Sequence, residues 1–225
     1  MEDDAESAAR WVAERLAAVA RSSGHVVLTG GGTPRRAYEL AAELEPDWSG
    51  TEVWWGDERC VPPDDERSNF GMVKDALLDR LERPPAAVHR IKGELEPKQA
   101  AAEYEQELRG ITFDFVLNGL GPDGHTASLF PHAPTLEIRD RLAVPAEAKH
   151  EPFVERITLT IPALANCREM IFLAVGVDKT DAARRAFGEP PSPATPGSLV
   201  RSAEGETVAV LDREAAAQLT SQPGP

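Results

Sequence analysis

Short apolar runs alternate with amphipathic stretches along most of this chain, and that alternation restricts the fold more than any other feature of the sequence. The runs show little apolar–polar alternation, as is typical of strands covered on both faces. The stretches between them repeat apolar residues at helical spacing, as in Ala8, Val12, Leu16 and Val19. The pattern predicts βαβ units and therefore an α/β fold with a mostly parallel, doubly wound, Rossmann-like sheet flanked by helices.

The pattern also predicts individual elements. The expected strands are 26–29, 52–55, 113–117, 156–161, 170–175 and 207–211. The expected helices are 5–19, 33–44, 69–81, 99–108, 178–187 and a terminal one from 213, and Thr33 is expected as an N-cap with Pro34 at the first helical position. A chain of 225 residues is within the range of one domain. We expect a single domain over 1–220 and a frayed tail over 221–225.

Composition excludes several classes of partner. The net charge of −14 argues against nucleic acid and against anionic membrane surfaces, because both bind basic proteins. No apolar run reaches the length of about 18 residues that a membrane helix needs. The acidic start of the chain and its two distant cysteines, Cys60 and Cys167, favour a cytoplasmic protein with reduced thiols. An anionic substrate would need a local cationic pocket.

Four loops with suggestive residues follow predicted strands, namely 30–34, 56–69, 119–131 and 176–179. In parallel sheets, ligands bind beyond the carboxyl ends of the strands. We therefore expect these loops to form one site.

The first two loops each allow two interpretations. Gly30, Gly31 and Gly32 precede a helix, so they either expose backbone N–H groups to an anion or form a tight capped turn. The sequence there is neither a Walker A loop nor a dinucleotide-binding fingerprint. In the second loop Arg59 is able to bind a phosphate or an oxyanion, with Asp57 or Glu58 orienting it. A solvated charge cluster is the other interpretation.

The loop from Gly119 to Thr126 carries the most informative residues. Its glycines and proline present His125 at a strand end, where a histidine suits general-base chemistry, and Asp123 is close enough in sequence to orient it. The other interpretation is a histidine that caps a helix. The remaining histidines, including His150, have no comparable setting, and the spacing of His125 and His132 matches no zinc motif, so no metal is expected.

Two further cations, Arg156 at a strand start and Lys179 in a strand-to-helix turn, are candidates for a phosphate clamp, although exposed charges are the ordinary interpretation of each. The chain has no Gly-x-Ser-x-Gly elbow, which excludes a serine mechanism of the α/β-hydrolase type.

These residues together resemble the 6-phosphogluconolactonases. The long motif runs from Leu120 to Pro131, and the shorter matches are 31–34, 57–59 with 61–62, 68–69, 156–159, and Gly176 with Lys179. The resemblance implies hydrolysis of 6-phospho-D-glucono-1,5-lactone to 6-phosphogluconate in the oxidative pentose phosphate pathway. It implies no cofactor, and the expected partner is the small phosphosugar lactone alone, for a monomer or a small homo-oligomer.

The resemblance also implies roles for residues. His125 would be the general base, supported by Asp123, and Arg59 would bind substrate or the developing oxyanion. The phosphate would be held by Gly31, Gly32, Thr33, Arg156 and Lys179, and supporting positions would be Asp57, Asn69 and Gly124.

The sequence differs from the family pattern at two positions, and two alternative functions share this fold. Gly32 replaces a serine that the family usually has, which removes one hydroxyl donor, and an aromatic residue expected before Leu211 is absent. Glucosamine-6-phosphate deaminases share the fold, but they carry a glutamate after the histidine motif that residues 126–131 lack. The second alternative function is a non-catalytic sugar-phosphate sensor on the same scaffold.

Overall fold

The predicted central sheet is present in the computed structural model, which describes residues 1–219. The predicted frayed tail, 221–225, lies outside these residues. Within the described residues nine strands are formed: β1 Gly24–Leu28, β2 Thr51–Trp55, β3 Asp57–Arg59, β4 Ala87–His89, β5 Phe113–Gly119, β6 Ala143–Ala146, β7 Arg156–Leu159, β8 Cys167–Ala174 and β9 Glu206–Leu211. Six of them make one sheet in the order β4-β2-β1-β5-β8-β9. Every ladder in it is parallel, which confirms the predicted fold class.

The connections between strands change direction at the centre of the sheet, between β1 and β5. From β1 the chain adds β2 on one side, and it later returns to add β5 on the other. Val26 in β1 accordingly pairs with Val53 of β2 and with Phe115 of β5. Such a reversal opens a crevice at the carboxyl ends of the two central strands, and ligands of doubly wound sheets bind there.

Helices cover both faces of this sheet and bury their apolar sides on it. They are α1 Ala5–Ser22, α2 Gly32–Leu44, α3 Asn69–Ala76, α4 Pro97–Leu108, α5 Ile161–Ala165 and α6 Thr180–Phe187. Helix α1 begins where the Asp4 side chain accepts a hydrogen bond from the Ser7 N–H at 2.8 Å. Its buried residues include Ala8, Val12 and Leu16, which repeat at the predicted helical spacing. No helix within residues 1–219 is both long enough and apolar enough to cross a membrane.

A second, antiparallel sheet of three strands, in the order β3-β7-β6, was not predicted. The expected strand at 156–161 exists as β7, but it belongs to this sheet and not to the parallel one. Strand β3 follows β2 after the single residue Gly56, within a segment that was expected to be a loop. Its three charged residues carry no apolar pattern, so only the pairing with β7 reveals the strand.

Three predictions of helix ends are wrong. Thr33 is not the N-cap of α2 and Pro34 is not its first residue, because the helix begins at Gly32 with Gly31 as the cap. The helix predicted over 69–81 ends at Ala76 and continues as a 3₁₀ turn over Leu78–Arg80. The terminal helix expected from Arg213 is a series of turns over 213–218.

Candidate active site

The four predicted loops do converge, and they enclose a cavity of about 260 Å³ at the carboxyl ends of β1, β5 and β8. This volume is at the small end for ligand sites and suits one small molecule. Of the eleven residues given a catalytic, binding or supporting role, all but Asp123 and Gly124 line the wall: Gly31, Gly32, Thr33, Asp57, Arg59, Asn69, His125, Arg156 and Lys179. The expected convergence of these distant loops is therefore observed, and the roles of their residues stay predictions.

The loop formed by Gly30, Gly31 and Gly32 places the start of helix α2 at the cavity. Gly31 caps the helix with φ 114°, a left-handed conformation that glycine adopts without strain, and no side chain caps the helix. The first N–H groups of a helix have no partner within it, and they carry the positive end of its dipole. The loop therefore presents unsatisfied donors to the cavity, as an anion site requires.

Two arginines face each other across the antiparallel pair that forms the side of the cavity. Arg59 of β3 and Arg156 of β7 are directly paired, and both line the cavity wall. Like charges in such cross-strand positions destabilise a sheet. The Nε atoms of both side chains are buried without a hydrogen-bond partner among residues 1–219. A bound anion would relieve the repulsion between the two guanidinium groups.

Arg156 is a buried cation, with an exposed fraction of 4%. Burial is the largest influence on its pKa and lowers it, the Arg59 charge lowers it further, and Asp57 and Glu58 raise it. An arginine nevertheless stays charged at neutral pH. The third cation of the wall, Lys179, lies 3.1 Å from Asp178 across a surface ion pair.

The acidic residues beside Arg59 are structural, and the expectation that one of them orients its guanidinium is wrong. Glu58 is buried and accepts hydrogen bonds from the backbone N–H groups of Arg59, Asn69 and Phe70 and from the Ser68 hydroxyl. The Arg59 side chain donates instead to the carbonyl oxygen of Arg67, at 2.5 Å. A solvated charge cluster is also excluded, since Glu58 is only 2% exposed.

Asp57 and Asn69 form a second buried network at the cavity wall. The Asp57 carboxylate accepts a hydrogen bond from the Ser128 hydroxyl at 2.6 Å and one from the Asn69 amide at 3.3 Å. The side-chain carbonyl oxygen of Asn69 is buried and has no partner within residues 1–219.

His125 and Asp123 form the predicted pair. The Nδ1 atom of His125 lies 2.5 Å from Oδ1 of Asp123. A hydrogen bond donated by Nδ1–H leaves Nε2 with a free lone pair, as a general base needs. Burial alone would raise the pKa of the Asp123 carboxyl, but its hydrogen bonds and charge interactions with His125, together with a further hydrogen bond from His150, hold that pKa well below its usual range. Asp123 is therefore an anion at neutral pH.

The backbone of the 121–125 loop fixes this pair in place. The imidazole ring of His125 lies so close to Gly121 that a Cβ there would be 2.1 Å from Nδ1. Gly124 adopts φ 91°, and it does not line the cavity. Arg185 of α6 anchors the loop, since it donates to the carbonyl oxygens of Pro122 at 3.4 Å and Asp123 at 3.3 Å.

The expectation that His150 has no special setting is wrong. Its Nε2 lies 2.7 Å from the second carboxylate oxygen of Asp123. The sequence offers no signal for this contact, because His150 is 27 residues further along the chain, in the segment between β6 and β7.

Asp123, His125 and His150 are also the one group of three potential metal ligands within residues 1–219 whose ligand atoms lie within 4.8 Å of one another. Hydrogen bonds among the three account for this arrangement without an ion. That the site uses no metal stays a prediction.

Comparison with known proteins gives one family. The family model described as glucosamine-6-phosphate isomerases/6-phosphogluconolactonase matches residues 1–209. The 6-phosphogluconolactonase of Synechocystis is 36% identical over 209 residues, which cover 88% of this chain and 86% of that protein. The structure of the 6-phosphogluconolactonase from Thermotoga maritima superposes with a TM-score of 0.83 at 31% identity, and the match covers 94% of this chain and 97% of that one.

A monomeric glucosamine-6-phosphate deaminase superposes equally well, with a TM-score of 0.85 over 96% of this chain and 98% of that one. Its identity is only 19%, so this likeness shows a common fold and nothing more. The resemblance inferred from the sequence motifs is thus confirmed, and the chain belongs to the glucosamine-6-phosphate isomerase/6-phosphogluconolactonase family.

Proposed function

We propose that this protein hydrolyses 6-phospho-D-glucono-1,5-lactone to 6-phosphogluconate, as a cytoplasmic enzyme of the oxidative pentose phosphate pathway. The observation that carries the proposal is the joint presence, in one small cavity, of an imidazole with a free Nε2 and a cationic wall. Curated relatives named 6-phosphogluconolactonase support the same activity. The substrate is a small anion with an ester carbonyl. Its phosphate needs the cationic wall, and its carbonyl needs a base that activates water.

The phosphate group is assigned to the start of α2 together with Arg156 and Lys179. The backbone donors of Gly32 and Thr33 and the two side-chain cations would hold it at one end of the cavity. This end makes no bond that changes during the reaction, so its contribution is to orient the lactone toward the base. Asn69 lines the same cavity.

The chemical step follows from the tautomer of His125. Its Nε2 takes a proton from a water molecule as the water oxygen attacks the lactone carbonyl carbon, and Asp123 stabilises the imidazolium that forms. The Arg59 guanidinium lies in the same wall and would stabilise the negative oxygen of the tetrahedral intermediate. The intermediate collapses with cleavage of the bond to the ring oxygen, and the imidazolium returns the proton to that oxygen.

The test compares turnover with binding. Freshly generated lactone should disappear faster with the wild-type protein than in buffer, and His125→Ala should lower kcat by about 10²- to 10⁴-fold. Calorimetry with 6-phosphogluconate should show binding to His125→Ala that is within a few-fold of wild type, because the phosphate contacts remain. Normal turnover by His125→Ala, or ammonia release from glucosamine 6-phosphate by the wild type, would contradict the proposal.

A further inference from the structure

Each oxygen of the Asp123 carboxylate has its own imidazole partner. Oδ1 lies 2.5 Å from Nδ1 of His125, and it also accepts from the His125 backbone N–H at 3.1 Å. Oδ2 lies 2.7 Å from Nε2 of His150. Among residues 1–219 no other group donates to this carboxylate, because Arg185 reaches only the backbone carbonyl oxygen of Asp123.

The His150 ring lies against the catalytic pair on its solvent side. Its centroid is 5.6 Å from that of His125, with 25° between the ring planes, and 5.9 Å from that of Phe130. The side chain of His150 is 51% exposed, whereas that of Asp123 is 24% exposed. His150 therefore separates the carboxylate from bulk water on one side, where water would otherwise compete for Oδ2.

The backbone that carries His150 is held by a residue of the cavity wall. Arg156 Nη2 donates to the carbonyl oxygens of His150 and Pro152, both at 3.3 Å. It also approaches the carbonyl oxygen of Glu151 at 3.5 Å. A buried guanidinium in a strand thus fixes the position of an otherwise exposed loop histidine.

We propose that His150 is a positioning residue for the reaction. It holds Oδ2 so that the carboxylate cannot rotate about its Cβ–Cγ bond, which keeps Oδ1 on Nδ1 of His125 and Nε2 directed into the cavity. This inference rests on the proposed hydrolysis, and it adds a residue that acts through Asp123 without touching the substrate.

The kinetic test uses two substitutions of His150 and a neighbour as the control. His150→Ala should lower kcat about tenfold and leave the KM for the lactone within about twofold of wild type, because a hydrogen bond to a charged group is lost without any change in substrate contacts. His150→Gln retains a side-chain N–H and should recover at least half of the lost kcat. Lys149→Ala, an exposed residue of the same segment that pairs only with Glu147, should match wild type.

A spectroscopic measurement tests the same inference without turnover. The proton between Nδ1 of His125 and Asp123 should give a strongly deshielded ¹H resonance in the free protein. In His150→Ala this resonance should broaden or move upfield, because the carboxylate gains rotational freedom, and it should be absent from His125→Ala. In Lys149→Ala it should be unchanged.

The two proposals fail differently. A wild-type protein without lactonase activity would overturn the proposed function, while the resonance would still decide the role of His150. If His150→Ala kept both the wild-type kcat and an unchanged resonance, the positioning role would be wrong. A raised KM with unchanged kcat would also overturn it, because that result describes a loop that only covers the cavity.

Discussion

Gly121→Ala offers a sharp test of how closely the loop holds the imidazole of His125, the proposed general base. A Cβ at position 121 would lie 2.1 Å from both Nδ1 and Cε1 of His125, and 2.8 Å from Oδ1 of Asp123. Ordinary van der Waals contact begins at 3.4 Å. The ring must therefore retreat by 3.4 − 2.1 = 1.3 Å, or the loop must move by a similar distance.

Such a shift should lower kcat without changing the affinity for the product. A misplacement of about 1 Å at a reacting group costs on the order of 10²-fold in rate. We therefore expect kcat for the lactone to fall by about 10²-fold in Gly121→Ala. The affinity for 6-phosphogluconate should change little, because the start of α2 and Arg156 are untouched.

The assay follows loss of freshly generated lactone, with affinity for 6-phosphogluconate measured by calorimetry. Gly56→Ala is the matched control, since it is another glycine directly after a central strand. A Cβ at that position would meet Val27 at 3.6 Å and Leu164 at 3.8 Å, which are ordinary contacts. It should keep kcat within about threefold of wild type. A Gly121→Ala protein with wild-type kcat would show that the imidazole does not need the position described here.

Three other substitutions test separate parts of the site. Gly32→Ser should be accommodated, since a Cβ at position 32 meets nothing within 4 Å. The added hydroxyl should lower the KM for the lactone by up to about fivefold, and an unchanged or raised KM would contradict a phosphate at this loop. Glu58→Gln should lower the free energy of unfolding in urea by about 2–4 kcal/mol, because an amide N–H₂ would face backbone N–H donors, and a loss below 1 kcal/mol would mean that this network relaxes. Asp123→Asn tests the depressed pKa of the Asp123 carboxyl, whose ionised form stabilises the native state above the ordinary pKa of 3.8. The difference in unfolding free energy between wild type and Asp123→Asn should therefore shrink as the pH falls below 3.8. A difference that grows with acidification would refute the assignment.

The sequence predicted the parts of this fold that depend on local periodicity. Five of the six strands of the central sheet and most helices appear within a few residues of their expected positions, since apolar runs and helical spacing specify them directly. The sixth strand, β4, was not predicted. The convergence of the loops was also predictable, because the carboxyl ends of parallel strands share one edge. Motif spacing predicted roles for His125, Asp123 and Arg59; the structure places His125 and Arg59 in the cavity wall and pairs Asp123 with His125, and the roles stay predictions.

The features that were missed depend on tertiary contacts. The Asp57–Arg59 strand exists only because β7 pairs with it, and charged residues give no strand signal. Thr33 failed as an N-cap because α2 has its cap two residues earlier, at Gly31, and leaves its first donors open toward the cavity. His150 is brought to Asp123 by a segment of irregular structure, whose path depends on Arg156 and not on any local pattern.

The direct pairing of Arg59 with Arg156 has a consequence for every stability measurement on this protein. Both arginines belong to the wall of one cavity, so any anion that binds there binds the native state and not the unfolded chain. The native state is then stabilised by mass action, in proportion to the logarithm of anion concentration above the dissociation constant. The melting temperature should therefore differ between a phosphate buffer and an amine–chloride buffer of the same ionic strength, and unfolding free energies of variants are comparable only at one fixed concentration of one anion.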